Sequence, residues 1–480
     1  MNVVVFCSDT FRQDRLGFLG QTEVQTPVLD NLARESALFE DFRLCSFPTV
    51  VNRIEVFTGR VTFPRVGWGA LPFQYPVLAE VFKHGGFHTG LVSDNPHMMR
   101  RGFGFGRGFD QVIHIRGQND DDFIPAPEPM VELGCPEEKL EARKRRLDRY
   151  RRSGYWYRER GTNCAETVAR HAMDWLPTAK RPFFLWIDGF DPHEPWDAPE
   201  RFLKKYPWDS SGEAVFWPAD GEADAYSKGD LFNMRSLYQA EVTQADFWLG
   251  RIMEQLRSTG LLEDTVIIFC SDHGYYLGEH NRVGKLFKPR TGPNVIYEEL
   301  ARVPLLIRHP SGMGAGQRYP GICQPQDLFP TLLELAGLPQ ERWTEGKSLC
   351  GRLSGKPETE LFAAAGCHPN SRNIACTTVW KDGWCLVYSP LNGLKGSELY
   401  YLPRDPGQTE NVISKHFGAA EELFAQLRSW LASLGISRGA ERALLETQPV
   451  GWTQRARQKC WSFRNSCSYF LQYRGYTRAK

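Results

Sequence analysis

The chain has 480 residues and a formal net charge of +1, from 58 lysine plus arginine against 57 aspartate plus glutamate, so its overall field gives no attraction for nucleic acid or an anionic membrane. Hydrophobic residues at 41%, charged ones at 24% and aromatic ones at 13% match a soluble globular protein and exclude bulk disorder and fibrous repeats. No run reaches the roughly 18 to 20 apolar residues of a spanning helix, the first residues lack a basic and then apolar leader, and the 12 cysteines fall singly, never in zinc-like pairs. The expectation is a cytoplasmic protein whose cysteines are buried free thiols.

Short β-branched runs alternate with helical patterns, which predicts an α/β fold: a central, mostly parallel sheet sandwiched by helices, with a smaller C-terminal α+β unit. Residues 3–7 are predicted as the first strand, ending at Asp9. Thr26-Pro27 supplies a cap and a proline at the first helical position, opening a helix predicted to reach about Phe39. Further strands are predicted over 89–92, 183–187 and 265–270. The polar stretch 119–160 carries Lys144-Arg145-Arg146, Arg149, Arg151 and Arg152 and is expected to be a surface insertion with a solvated basic helix. Between Tyr238 and Thr259 the apolar residues recur at helical spacing up to Gly260, predicting a core helix. After about Arg352 shorter strands over 376–379 and 384–388 and a helix near 419–434 set off the C-terminal unit. The expected division is a catalytic domain over 1–350, the C-terminal unit over 351–440 and a basic-aromatic tail over 441–480. The tail is expected to rim the active site or pack on a second copy of the chain.

In open parallel sheets the ligand crevice lies outside the carboxyl ends of the strands. Here those ends carry Asp9, Asp94, Asp188-Gly-Phe-Asp191-Pro-His193 and Asp272-His273. Asp9, Asp272 and His273 suit a divalent cation, because carboxylate oxygens with one imidazole nitrogen neutralise and orient it. Ordinary turn or cap roles are the alternative for each residue singly.

The segment Cys45-Ser-Phe-Pro-Thr49-Val-Val-Asn-Arg53-Ile-Glu-Val-Phe-Thr58-Gly59-Arg60 resembles the signature of the sulfatases, in which a cysteine matured to formylglycine precedes an arginine by four residues and Thr-Gly-Arg by nine. That spacing puts Thr49 in the nucleophile position, whereas Cys45 stands eight residues before Arg53. Phe190-Asp191-Pro-His193-Glu-Pro-Trp196, Ser271-Asp272-His273-Gly274, Gly284-Lys285, Gln326-Asp327-Leu-Phe-Pro330 and Glu398-Leu-Tyr-Tyr extend the likeness to about residue 411. The chain is thus identified as a member of the sulfatase branch of the alkaline phosphatase superfamily. The resemblance implies metal ligation by Asp9, Asp272, His273 and Thr49, and places Thr10 in the position of a fifth ligand. It implies Thr49 as nucleophile, Arg53 and Lys285 on the transferred group, His193 as general acid, and one or two divalent ions (Ca, Mg, Mn or Zn).

Four departures bear on the substrate. Threonine has no geminal hydroxyl and must release its adduct by water attack at the central atom, a route suited to phosphorus. Asp272-His273 replaces an aspartate-asparagine pair, as in phosphonate and phosphodiester hydrolases of the superfamily. Thr10 stands where many sulfatases have a second aspartate. Asp94 falls where they place a lysine, leaving Asn95 and His97 as candidate substrate contacts. The expected activity is therefore hydrolysis of a small phosphate, phosphodiester or phosphonate ester through Thr49. The alternatives are sulfuric ester hydrolysis with an unmodified threonine, or a catalytically silent binding relative.

Overall fold

Val3, Val4 and Val5 are β-branched residues without a polar face, and the sheet buries them on both sides. In the computed structural model Asn2–Ser8 pairs in parallel with Thr265–Ser271 on one edge and with Phe183–Gly189 on the other. The structure describes residues 1–446 apart from positions 22, 120, 124, 126–132, 134, 141–143, 286–293, 357–361 and 370–375. The eight-stranded sheet runs Arg318–Cys323, Ala37–Phe42, Leu305–Arg308, Thr265–Ser271, Asn2–Ser8, Phe183–Gly189, His88–Ser93 and Gln111–His114. Leu305–Arg308 runs against the rest, so the sheet is mixed but mostly parallel.

Alternation along the strands divides the core. Val3, Val5 and Cys7 join the apolar layer on one face, and Val4 and Phe6 the layer on the other, as the two-residue side-chain period requires. The face of Val4 is covered by the helix Lys228–Ser258, through Met234, Tyr238, Val242, Leu249, Ile252 and Leu256. This helix begins well before residue 238 because Ser227 and Asp230 close a capping box, each side chain accepting the other's backbone N–H. The opposite face is covered by Thr49–Thr58 and Leu328–Leu335.

Two expectations are corrected. The helix opened by Pro27 ends at Arg34, and Ala37–Phe42 is a strand. Ala37 and Phe39 pack on one side of the sheet and Leu38 on the other, a consecutive apolar run that a helix with one buried stripe could not satisfy. Within the polar stretch, Lys144–Arg158 is helical as expected, but Leu147, Tyr150 and Tyr157 are buried in the same core as the long helix. They form one stripe hidden in the sequence by the surrounding arginines.

In the C-terminal unit, Phe362–Cys367, Thr377–Lys381, Trp384–Tyr388 and Glu398–Tyr401 form an antiparallel sheet under the helix Phe417–Ser433. Its far edge pairs with the short strand Ser46–Phe47, Gly366 opposite Ser46 and Cys367 opposite Phe47. The unit therefore buttresses the turn leading into Thr49. The ten described cysteines are free, nine of them buried, and no described helix is long and apolar enough to cross a membrane. The tail expected over 441–480 begins inside the helix Arg438–Leu445, and residues 447–480 lie outside the described residues.

Candidate active site

Strand register assembles the site. Ser8 lies level with Ser271 on one side and Gly189 on the other, and Ser93 lies level with Asp188. Asp9 and Asp272 thus leave neighbouring strands one residue past the pairing, at the carboxyl edge where a ligand crevice forms. The Asp9 N–H donates to Gly189 O at 2.9 Å. Thr10 takes a left-handed φ of 65°, which lets its N–H donate to Asp272 Oδ1 at 3.0 Å and its hydroxyl to Asp9 Oδ1 at 2.8 Å. Thr10 thereby orients both carboxylates.

Ligand atoms of Asp9, Asp272 and His273, all buried, lie within 4.8 Å of one another. The His273 Nδ1 lies 2.9 Å from Gly274 O; a carbonyl can only accept, so Nδ1 carries the proton and Nε2 presents a lone pair. That Nε2 stands 3.2 Å from Thr49 Oγ1 and 3.6 Å from Asp272 Oδ2. Burial would raise the Asp272 pKa, but His273, Arg53 and two backbone N–H groups bring it down to about 2. Burial lowers His273 to about 4 against the pull of Asp272. Asp9 is pushed up by burial and by Asp272. Two carboxylates, a neutral imidazole and a buried Asp272 Oδ2 that receives no hydrogen bond form a donor set that fits a divalent cation.

Thr49 opens the ten-residue helix Thr49–Thr58, and Arg53 follows one turn later on the same side. The amide dipoles put partial positive charge at that helix start, where an anion is stabilised. Arg53 is fully buried and grips both oxygens of Asp188, Nε to Oδ2 at 2.7 Å and Nη2 to Oδ1 at 3.1 Å. Its Nη1 stands 3.0 Å from Asp272 Oδ2 without a hydrogen bond. Trp186 Nε1 donates to Asp188 Oδ2 at 2.9 Å. Asp188 is thus the clamp of Arg53, a role that its place after a strand did not reveal.

Asn95, a candidate substrate contact, donates through Nδ2 to Asp9 Oδ2 at 3.0 Å and Asp188 Oδ1 at 3.3 Å. His97 sits ring to ring with Trp68, Phe190 and His193, next to the general-acid candidate and outside the cation cluster. Asp94 accepts from the Phe190 N–H at 2.8 Å, and burial raises its carboxyl to about 7; it fills no anion-contact position. His193 Nδ1 donates to Glu194 O, which leaves Nε2 for proton transfer. Burial, then Lys285 and His97, hold its pKa well below 6.5. Lys285 Nζ donates to Glu194 Oε2 at 3.0 Å and lies 3.4 Å from Thr10 Oγ1. Glu194, which sequence reasoning passed over, is signalled only by its place beside His193. Behind this loop opens a cavity of about 580 Å³ lined in part by Gln118, Tyr150, Arg158, Asp191 and Asp197.

A mostly parallel sheet thus brings two aspartates, a histidine and an arginine together at one helix start. Residues 1–338 match the Sulfatase family model and residues 290–436 the model for the N-sulphoglucosamine sulphohydrolase C-terminal region; the chain belongs to the sulfatase family and is an ester hydrolase. It is 24% identical over 465 residues to an arylsulfatase of Clostridium perfringens, covering 86% of this chain and 90% of that one. It is 32% identical over 213 residues to the multifunctional alkaline phosphatase superfamily protein PehA of Trinickia caryophylli, 38% of this chain and 40% of that one. In fold it resembles the phosphonate monoester hydrolase of Agrobacterium radiobacter, with a TM-score of 0.69, 21% identity and coverage of 90% and 95%. The structure of BT4656 with its substrate D-glucosamine-2-N,6-O-disulfate is similar, with a TM-score of 0.70, 18% identity and coverage of 92% and 99%.

Proposed function

We propose that this protein is a metal-dependent hydrolase of phosphate, phosphodiester or phosphonate monoesters that works through a covalent intermediate on Thr49. The observation that carries the reading is the position of Thr49 Oγ1, at a helix start and 3.2 Å from His273 Nε2, beside the Arg53 Nη1 and Asp272 Oδ2 pair whose hydrogen-bonding capacity is unspent. A cation can take the oxygen and an anionic ester oxygen can take the N–H. Asp9, Asp272 and His273 would hold a divalent ion, which would supply charge neutralisation at the nucleophile and the transferred group.

Thr49 Oγ1, its proton passed to solvent, forms a bond to phosphorus as the bond from phosphorus to the substrate's alcohol oxygen breaks in line with it. Arg53 Nη1 and Lys285 Nζ stabilise charge on the nonbridging oxygens. His193 delivers a proton from Nε2 to the leaving oxygen, then takes one from the water that attacks the phosphorus of the threonine adduct, breaking its bond to Thr49 Oγ1, which regains a proton from solvent. The anionic substrate beside Lys285 offsets part of that lysine's effect on His193, favouring the protonated imidazole when it is needed. The free cysteines support a reducing compartment for the enzyme.

A second reading, sulfuric ester hydrolysis by an unmodified threonine, is favoured by the arylsulfatase relative and the C-terminal family match. A panel of p-nitrophenyl phosphate, bis-p-nitrophenyl phosphate, p-nitrophenyl phenylphosphonate and p-nitrophenyl sulfate, with metal content and intact mass measured on the same sample, decides. Phosphorus esters should turn over fastest on a chain of unmodified mass; a preference for the sulfate would overturn the first reading.

A further inference from the structure

Around Thr49 four carboxylates, Asp9, Asp188, Asp272 and Glu194, face two fixed cations, Arg53 and Lys285. A divalent ion in the Asp9, Asp272 and His273 set would bring these groups to neutrality. Arg53 spends Nε and Nη2 on Asp188 and keeps Nη1, charge-paired with Asp272, for the transferred group. Lys285 would be the second cation to meet an incoming charge, but its ammonium is paired with Glu194 at 3.0 Å, both side chains being at most 9% exposed. In this setting Coulomb terms are weakly screened. The Glu194 backbone is fixed as well: its carbonyl accepts from His193 Nδ1 and from Asn119 Nδ2.

We propose that Glu194 is a specificity-determining residue: by cancelling the charge of Lys285 it tunes the site to a transferred group bearing one negative charge and against one bearing two. A phosphodiester, a phosphonate monoester or a sulfate ester meets that condition, and the dianion of a phosphate monoester does not. The inference rests on the reading of Lys285 as a contact to the transferred group, and it narrows the substrate class proposed above.

The test compares two ligands of nearly the same shape and different charge, p-nitrophenyl phosphate at pH 8.5 as a dianion and p-nitrophenyl sulfate as a monoanion. Dissociation constants are measured by calorimetry on metal-loaded protein carrying Thr49→Ala, with and without Glu194→Gln. Glu194→Gln should tighten the dianion by at least about tenfold more than the monoanion, since an uncancelled charge acts twice as strongly on two charges as on one. Glu194→Asp, which keeps the charge, should leave the ratio where it was. A residue that merely props Lys285 would move both ligands together. Tight binding with an unchanged ratio overturns the charge-selection role while sparing the site assignment; if neither anion binds any of the proteins, the site assignment fails and takes the proposal with it. No step of this test requires turnover, so it does not depend on Thr49 being the nucleophile.

Discussion

Phe183–Gly189 and the loop after it feed two carboxylate clusters, sending Asp188 into one with Asp9 and Asp272 and Asp191 into another with Asp94, Asp197 and Glu241. The first is threaded by Arg53 and Lys285. The second is met largely by amides and hydroxyls: Gln118 Nε2 and Gln244 Nε2 donate to Asp191 at 3.2 and 2.8 Å, Gln244 to Glu241 at 2.8 Å, and the Tyr150 hydroxyl to Asp197 at 3.0 Å. His273, Arg53 and two backbone N–H groups hold Asp272 down at about 2. Burial and neighbouring acids push Asp191 and Glu241 well up, and burial takes Asp94 to about 7. An acid at a strand end is therefore not by itself a ligand; the partners decide whether it keeps its charge. Among the described residues the group of three His, Cys, Asp or Glu suited to a metal, Asp9, Asp272 and His273, lies in the first cluster.

The largest effects should fall on the first cluster. Thr49→Ala should abolish turnover, by about 10⁴-fold or more if the hydroxyl is the nucleophile, with an unchanged melting temperature. Near-parental activity, or a trapped adduct mapped to Cys45 by mass spectrometry, would break the assignment. Asp272→Asn with His273→Ala should empty the site of metal, and a chelator should silence the parent. Metal analysis of dialysed protein reads this directly, with at least about one divalent ion per chain expected in the parent.

Next in size comes the proton donor. A general acid contributes roughly 10²- to 10⁴-fold, less when the leaving alkoxide is stable. His193→Ala should therefore slow an alkyl ester far more than a p-nitrophenyl ester sharing the same transferred group, whereas Lys285→Ala should slow both. Equal losses for the two esters in His193→Ala would place His193 on the transferred group instead.

How much of this was legible beforehand follows from what each feature needs. Runs such as Val3-Val4-Val5 announce buried strands by composition alone, and the acids that follow them mark the crevice edge, so Asp9, Asp272 and His273 could be grouped before their geometry was known. Thr49 and Arg53 stood out through the likeness to the sulfatase signature, whose four-residue spacing they keep; spacing alone names no nucleophile. Pair relations across the sheet were not legible: nothing local says that Asp188 belongs to Arg53, that Asn95 braces Asp9, or that Glu194 neutralises Lys285, because these contacts are set by strand register and loop return. The strand Ala37–Phe42 was lost for a similar reason, since its short apolar run follows a helix directly and its partners, Leu305–Arg308 and Arg318–Cys323, lie far along the chain.

The second cluster should respond weakly and in the other direction. Asp191→Asn should retain the parental metal content, and kcat/KM should fall by no more than severalfold, because the Asp191 carboxyl serves the loop rather than the cation. Metal loss comparable to that of the Asp272 and His273 double variant would merge the two clusters into one site and break the comparison.

The smallest effect is a matter of sign. The carboxyl of Asp94 goes from an ordinary 3.8 to about 7 in the folded protein, chiefly through burial. A carboxyl raised in this way stabilises the fold fully below its unfolded pKa, and that contribution is lost as pH rises from about 4 towards 7. Asparagine keeps an oxygen for the Phe190 N–H and does not titrate, so Asp94→Asn should gain stability relative to the parent between pH 5 and pH 8. Any fixed cost of placing the amide is the same at both pH values and drops out of the difference. With one pKa unit equal to about 1.4 kcal/mol, the swing should be a few kcal/mol at most. Denaturant melts of both proteins at the two pH values read it, and a difference in stability that stays flat with pH would show that Asp94 remains ionised beside Asp191, as Asp272 does beside Arg53.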